Sequence, residues 1–359
     1  MPRPIQVRID LAALAHNLQV ARRATSARIM AVVKAAAYGH GLLRTARALQ
    51  AADGFALLDI SDAVLLRDAG FRQEILLLEG CFAAEDMQRV AEYALTCVIH
   101  SPHQIAMLDA FPLRNSLNVW VKVNTGMNRL GFQPQDLAAV MARLKSHPAV
   151  RDIVLMTHFS CADEASGIPG QMDTFNIAAA PYRVARSLAN SAALLRFPST
   201  HADWVRPGIM LYGASPFAYG GSAYASAQQL GLKPVMTLSS QIIAVREMAE
   251  GACVGYGGIF CAETAMRVGI VACGYADGYP RHAPTGTPIL VGGLPTRTLG
   301  RVSMDMLTVD LTTLPNVTVG SPVTLWGEGM PVDDVARAAG TISYELLCAL
   351  TARVPIIAG

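Results

Sequence analysis

Residues 29–41 read IMAVVKAAAYGHG, and how that stretch is understood decides the fold. Five apolar residues, Ile29 to Val33, run without a polar break into Lys34. A strand covered by helices on both faces needs no polar alternation, so the run reads as a buried strand of a parallel sheet. Lys34 then stands where that strand ends, followed by a small-residue turn and a helix-like segment. Partial desolvation there favours the neutral amine that can attack a carbonyl. Position alone fits equally an aliphatic stem that carries its ammonium out to water.

The pattern extends in both directions. Asp10 reads as the N-cap of a helix whose apolar face is Leu11, Leu14, Leu18 and Ala21. Beyond Lys34 a helix carrying Leu42, Leu43, Ala46 and Leu49 stops near Gly54. Short apolar strands follow near 55–58, 75–78, 97–99, 119–123, 153–156, 186–189 and 203–206. Helical stretches separate them, among them Pro134–Ser146 with Leu137, Val140, Met141 and Leu144 on one face. With the first strand this makes eight β/α units over roughly 210 residues, the signature of a (β/α)8 TIM-like barrel. An open, doubly wound sheet has the same pattern, because periodicity does not show closure. After Lys233 helical periodicity fades. Runs at Ile242–Val245, Arg267–Val271, Thr287–Val291, Met306–Val309 and Pro322–Leu325 alternate with glycine-rich turns, interrupted by one amphipathic helix at Val332–Ala339. The chain thus divides into an α/β barrel at 1–233 and a mostly β domain at 234–359.

Composition narrows the function. Hydrophobic residues make up 52% of the 359 and charged residues 16%, enough for a large core. A net charge of +2 argues against nucleic-acid or membrane-surface binding. No apolar run is long enough to span a bilayer, and the first residues do not resemble a secretory signal. The seven cysteines lack metal-type spacing and lie mostly in apolar runs, so they read as reduced residues of a cytoplasmic protein.

In a barrel, chemistry gathers where strands end at the C-terminal face. The residues there are Lys34 after the first strand, Lys122 and Arg129 after the fifth, and His158 after the sixth. Asn190 and Ser191 follow the seventh strand, and Arg206, Gly208 and Ile209 the eighth. The last two loops are the usual phosphate position: Ser191 offers a hydroxyl and Gly208 permits close backbone approach. A phosphate cradle facing a desolvated lysine is what a pyridoxal phosphate site needs, because the lysine holds the cofactor's aldehyde.

The stretch VVKAAAYGHG (32–41) resembles the pyridoxal lysine motif of the bacterial alanine racemases, usually VKANAYGHG. The resemblance continues in VKVNTGMNRLGF (121–132), LMTHF (155–159), SLANSA (187–192) and VRPGIMLYG (205–213). It recurs in VGYG (254–257), GYADGYPR (274–281), GRVSMD (300–305) and ISYELL (342–347). It implies a pyridoxal 5'-phosphate enzyme that interconverts L- and D-alanine for cell-wall peptidoglycan. Lys34 and Tyr256 would be two bases on opposite faces of the cofactor, since racemisation removes the Cα proton from one face and returns it to the other. His158 backed by Arg206 would stabilise the Tyr256 phenolate. Arg206 would face the pyridine nitrogen. Tyr38, Ser191, Tyr344 and the backbone of Gly208 and Ile209 would bind the phosphate. Arg129, helped by a carbamylated Lys122, and the Met304 backbone would bind the substrate carboxylate, and Tyr275 would line the access route. The resemblance also implies a homodimer with shared sites. Two departures stand out: Ala36 where asparagine is usual, and Asn124 where aspartate is common. Alternatives are a racemase of broader scope, a barrel-type amino-acid decarboxylase, and a cofactor carrier. Decarboxylases of that type place an acidic residue where Arg206 stands, and a carrier has no use for a second base.

Overall fold

A computed structural model describes residues 3–110, 113, 115–221 and 223–358. Eight parallel strands close into a barrel: β2 (Arg28–Val32), β3 (Gly54–Leu57), β4 (Glu74–Leu77), β5 (Thr96–Ile99), β6 (Leu117–Lys122), β7 (Val150–Met156), β8 (Ala185–Ser187) and β9 (Trp204–Val205). Closure is made by β9 against β2, with Arg28 opposite Trp204 and Ile29 opposite Val205. Ile29, Met30 and Ala31 are fully buried, as a strand covered on both sides requires. At the N-terminal end, Trp120 packs on Trp204 and donates its indole N–H to Glu74 at 3.1 Å. The first helix, Leu11–Ala24, is capped by the Asp10 carboxylate, which accepts from the Ala13 N–H at 2.8 Å.

The remaining strands form an antiparallel-rich sheet of eight in the order β13-β16-β15-β14-β17-β10-β1-β18, where β1 is Gln6–Ile9, β10 Met236–Met248, β13 Met266–Val271, β14 Pro288–Val291, β15 Leu294–Leu299, β16 Leu307–Asp310, β17 Pro322–Trp326 and β18 Ile356–Ala358. Its long strand β10 also pairs with β13, aided by register shifts at 238/239 and 242/244 that bend it between neighbours. A separate two-stranded ribbon joins β11 (Cys253–Val254) to β12 (Phe260–Cys261). Gln6–Ile9 thus lies in the second sheet, between β10 and β18, and not with the barrel residues among which the division at 233 placed it. Four short residues carried too little pattern to betray this. A second helix, Ser343–Cys348, joins the expected one at Val332–Ala338. Nor are the cysteines uniformly reduced: Cys253 and Cys261 face each other across the ribbon and are disulfide-bonded, while Cys81, Cys97, Cys161, Cys273 and Cys348 are free. Among the described residues no helix is long and apolar enough to cross a membrane.

The turn after Lys34 is left-handed. Ala35, Ala36, Ala37 and Tyr38 have φ of 53°, 50°, 57° and 52°, and Gly39 follows at 78°. Each non-glycine residue in that region costs about 1–2 kcal/mol, so the surroundings must over-determine the turn. Buried His40 donates from Nδ1 to the carbonyls of Tyr38 (2.7 Å) and Ala37 (3.0 Å). Burial lowers its pKa to about 4, so the ring is neutral. The Tyr38 ring stacks on Tyr212, whose hydroxyl donates to the Val32 carbonyl at 2.9 Å. From outside, the helix Ser343–Cys348 presses its Leu347 carbonyl so close to Gly39 that a Cβ there would lie 2.2 Å from the oxygen.

Ala36 is exposed and glycine relieves its backbone strain, so Ala36→Gly is expected to stabilise the fold by about 0.5–1 kcal/mol. An unchanged or lowered denaturation midpoint would contradict the strain. His40→Ala removes the donor that the two carbonyls share and leaves a cavity, and a loss of about 2–4 kcal/mol is expected. A loss below half of that in chemical denaturation would mean that His40 does not hold the turn.

Candidate active site

The mouth of the barrel holds a cavity of about 640 Å³ at the strand C-termini. Lys34, Tyr38, Lys122, Arg129, His158, Asn190, Ser191, Arg206, Gly208, Ile209 and Tyr344 all line it, so eleven of the residues singled out in the sequence converge there. Tyr344 arrives from the second domain on the helix that presses on Gly39.

One end is built for an oxyanion. Ser191 begins the helix Ser191–Arg196, whose cap Asn190 accepts from the Ala193 N–H at 3.0 Å. The Gly208 N–H donates to the Ser191 Oγ at 2.8 Å. A Cβ on Gly208 would fall 2.5 Å from the Tyr38 hydroxyl, so only glycine lets tyrosine, serine and backbone meet there. Burial raises the pKa of Tyr38 and of Tyr344, so both remain hydroxyl donors.

At the floor, the Arg206 guanidinium is buried and fixed. Its Nη1 donates to the Ser187 Oγ at 2.6 Å, and its Nη2 to the carbonyls of Thr157 (2.6 Å) and Leu188 (3.2 Å). Among the described residues this leaves the Nε–H and one Nη1–H uncommitted. Burial lowers its pKa to about 10, which keeps it charged at neutral pH. His158 is held well below the ordinary imidazole value by burial and by Arg206, Lys122, Arg129 and Lys34, so it is neutral.

Lys122 ends β6, is buried, and has its pKa lowered to about 8 by burial and by the charges of Arg206 and Arg129. The following loop carries Arg129 and is organised by Asn124. The Asn124 Oδ1 accepts from the N–H groups of Gly126 (3.1 Å) and Asn128 (3.0 Å), and its Nδ2 donates to the Asn128 Oδ1 at 2.9 Å. Asn128 sits at a φ of 55°, a conformation that asparagine tolerates. Asparagine at 124 therefore makes every contact that an aspartate could accept, plus one donated bond.

Glu79 and His100 also line the cavity and were not singled out in the sequence. They stand two residues after β4 and one after β5, so the strand-end rule that found Lys34 would have found them as well. The Nε2 of His100 lies 3.1 Å from the Glu79 carbonyl. Glu79 is the one carboxylate facing two lysines and two arginines, a balance suited to a ligand of several negative charges.

Tyr256, Met304 and Tyr275 do not line the cavity. All three are exposed, Tyr256 by 72% and Met304 by 53%. Tyr275 and Met304 belong to two loops laced together, with Tyr275 N–H to Ser303 O and Ala276 N–H to Met304 O, both at 3.0 Å. Buried Asp277 pins these loops, receiving Arg3 at 2.7 Å, Arg353 at 2.6 Å and the Gly274 N–H at 2.9 Å.

Family models of the alanine racemase N-terminal and C-terminal domains match residues 9–216 and 235–358. The chain is 59% identical over 358 residues to the alanine racemase of Nitrosospira multiformis, covering 99% of each. It superposes on the biosynthetic alanine racemase of Pseudomonas aeruginosa with a TM-score of 0.96 at 49% identity, covering 99% of both chains. On the enzyme of Acinetobacter baumannii the TM-score is 0.92 at 39% identity, covering 99% of this chain and 100% of the other. With both of its domains matched along nearly their whole length, the chain belongs to the alanine racemase family.

Proposed function

We propose that this chain interconverts L- and D-alanine with pyridoxal 5'-phosphate in the barrel mouth, using Lys34 and the Tyr256 of a second copy as bases. The observation that carries this reading is the split in the site. One chain provides a cationic cavity with an oxyanion cradle, while its own Tyr256, Tyr275 and Met304 stand exposed outside that cavity.

The donor set suits the cofactor. Tyr38, Ser191 and the backbone at Gly208 would hold the phosphate, Lys34 the aldehyde carbon, and the Arg206 Nε–H the ring nitrogen. When bound, the cofactor supplies an electron sink that makes the Cα proton of the amino acid removable. Because Arg206 stays protonated, it would donate a hydrogen bond to the ring nitrogen without surrendering its proton, which would keep that sink modest and favour simple proton return. Lys34 would take or return the proton on one face, and Tyr256 on the other. Neutral His158 would accept from Arg206 at one ring nitrogen and donate the N–H of the other to Tyr256, so linking the phenolate to a fixed positive charge. Arg129 would orient the substrate carboxylate, together with the Met304 backbone, and Tyr275 would narrow the access route. In the cytoplasm the reaction would supply or consume D-alanine, the form used in cell-wall peptidoglycan; the Pseudomonas aeruginosa relative is a biosynthetic enzyme.

Lys122 would reach Arg129 more effectively as a carbamate. An amine with a pKa of about 8 is about one-tenth neutral at pH 7, and only the neutral amine reacts with carbon dioxide. With ¹³C-bicarbonate, the wild-type protein should show a carbamate carbonyl resonance that Lys122→Arg lacks. Identical spectra for the two proteins would leave Lys122 a free amine.

The shared site is tested by mixing subunits. Lys34→Ala and Tyr256→Ala proteins, each inactive, are dissociated and re-associated together. Random pairing makes about half the dimers hybrid, each with one intact site, so roughly a quarter of wild-type activity should return. Activity no higher than that of the separate variants would place both bases in one chain.

A further inference from the structure

The loop bearing Tyr256 is closed by a covalent link. Cys253 and Cys261 are direct cross-strand partners in the β11–β12 ribbon, and a disulfide joins them. Only one other residue pair, Val254 with Phe260, completes that ribbon, which is not hydrogen-bonded into the large sheet. Its base is anchored: Gly251 N–H donates to Ala262 O and Ala262 N–H to Ala252 O, both at 2.8 Å, and Val254 and Ala262 are buried. The tip is not anchored in this way. Gly255, Gly257 and Gly258 adopt φ of 65°, 77° and 54° around Tyr256, so the segment has little conformational preference of its own. In the single chain Cys253 and Cys261 are both exposed, so there their bond is open to thiol exchange.

We propose that Cys253 and Cys261 are a thiol–disulfide site, reduced by dithiols, whose bonded form holds the Tyr256 loop in its working shape. The proposal rests on the reading of Tyr256 as the second base. A dithiol's thiolate attacks one of the two sulfurs and breaks the bond between them. The dithiol's second thiol then resolves the mixed disulfide and the reagent leaves as its own cyclic disulfide. Two electrons pass from the dithiol to the protein, and two protons end on Cys253 and Cys261. Reduction opens the nine-residue ring and leaves two backbone pairs to hold the loop. A base displaced by even about 1 Å loses rate, so catalysis falls while cofactor and substrate sites in the barrel are untouched.

The test uses the holoenzyme before and after dithiothreitol. Native alkylation followed by peptide mass analysis should label Cys253 and Cys261 only after reduction. Labelling without reductant overturns the site. Amide hydrogen exchange at 254–260 should quicken on reduction, and unchanged exchange overturns the constraint. The racemisation kcat should fall by about 2- to 10-fold, while Cα proton exchange of the enantiomer served by Lys34 stays constant. A Cys253→Ser/Cys261→Ser protein should start at the lower rate and ignore dithiothreitol, which separates this pair from the five free cysteines. Faster exchange with an unchanged kcat overturns the control of catalysis. Tyr256→Phe is measured alongside. If it racemises normally, the second-base reading fails, independently of whether the bond exists and tightens the loop.

Discussion

The left-handed run from Ala35 to Gly39 is the constraint on which this site depends. Four successive non-glycine residues sit where each costs about 1–2 kcal/mol, and proteins tolerate such runs only where the surroundings leave no alternative. Here the surroundings are specific. His40 ties down two carbonyls from inside, Tyr212 stacks on Tyr38, and the second domain closes the outside through Leu347. The result is a short reversal that points Lys34 and Tyr38 into the same cavity while Ala37 and His40 stay buried beneath it. The histidine and the first glycine of YGHG are thus structural requirements of a lysine's placement. The turn is held by His40, Tyr212 and Leu347, none of which lines the cavity.

Electrostatics then sorts the cavity into charged and neutral donors. Burial alone would neutralise most ionisable groups. It does so for His158, Tyr38 and Tyr344, which become fixed neutral partners, but Arg206 starts so high that burial leaves it charged. Lys122 lies between these outcomes, still mostly charged at pH 7 but with about a tenth of its amine neutral. One buried arginine, fixed by a hydroxyl and two carbonyls, therefore sets the charge of the floor, and the groups around it adjust to it. Glu79 tempers the excess of positive charge from the rim.

Much of this was legible in the sequence, for identifiable reasons. Strands buried on both faces leave uninterrupted apolar runs, so all eight barrel strands could be located, and their ends gave Lys34, Lys122, His158, Ser191 and Arg206. Glu79 and His100 obey the same rule but follow strands with no other chemical signal, and were passed over. Gln6–Ile9 is too short to declare its sheet, and the helix at Ser343–Cys348 was hidden by being a turn and a half long. The disulfide was illegible because seven cysteines in apolar surroundings suggest reduced thiols, and only the ribbon's register sets Cys253 opposite Cys261. The handedness of the turn could not be read either, since alanine has no preference for it. Asparagine at position 36 would have hinted at it, and this chain has lost that hint.

Tyr256 is a different case, because nothing local to it suggests a base. It lies exposed on a glycine-rich ribbon, outside the barrel cavity of its own chain. The barrel mouth holds a neutral imidazole close to a buried guanidinium, and on the proposed reading Tyr256 of a second copy would reach it there. The second domain exposes Tyr256, Ile259, Tyr275, Met304 and Met306. Its loops are held rigid by Asp277 between Arg3 and Arg353, near the two ends of the chain. On the proposed reading, that surface would complete the barrel mouth of a second copy, and one two-fold interface would then complete both sites at once.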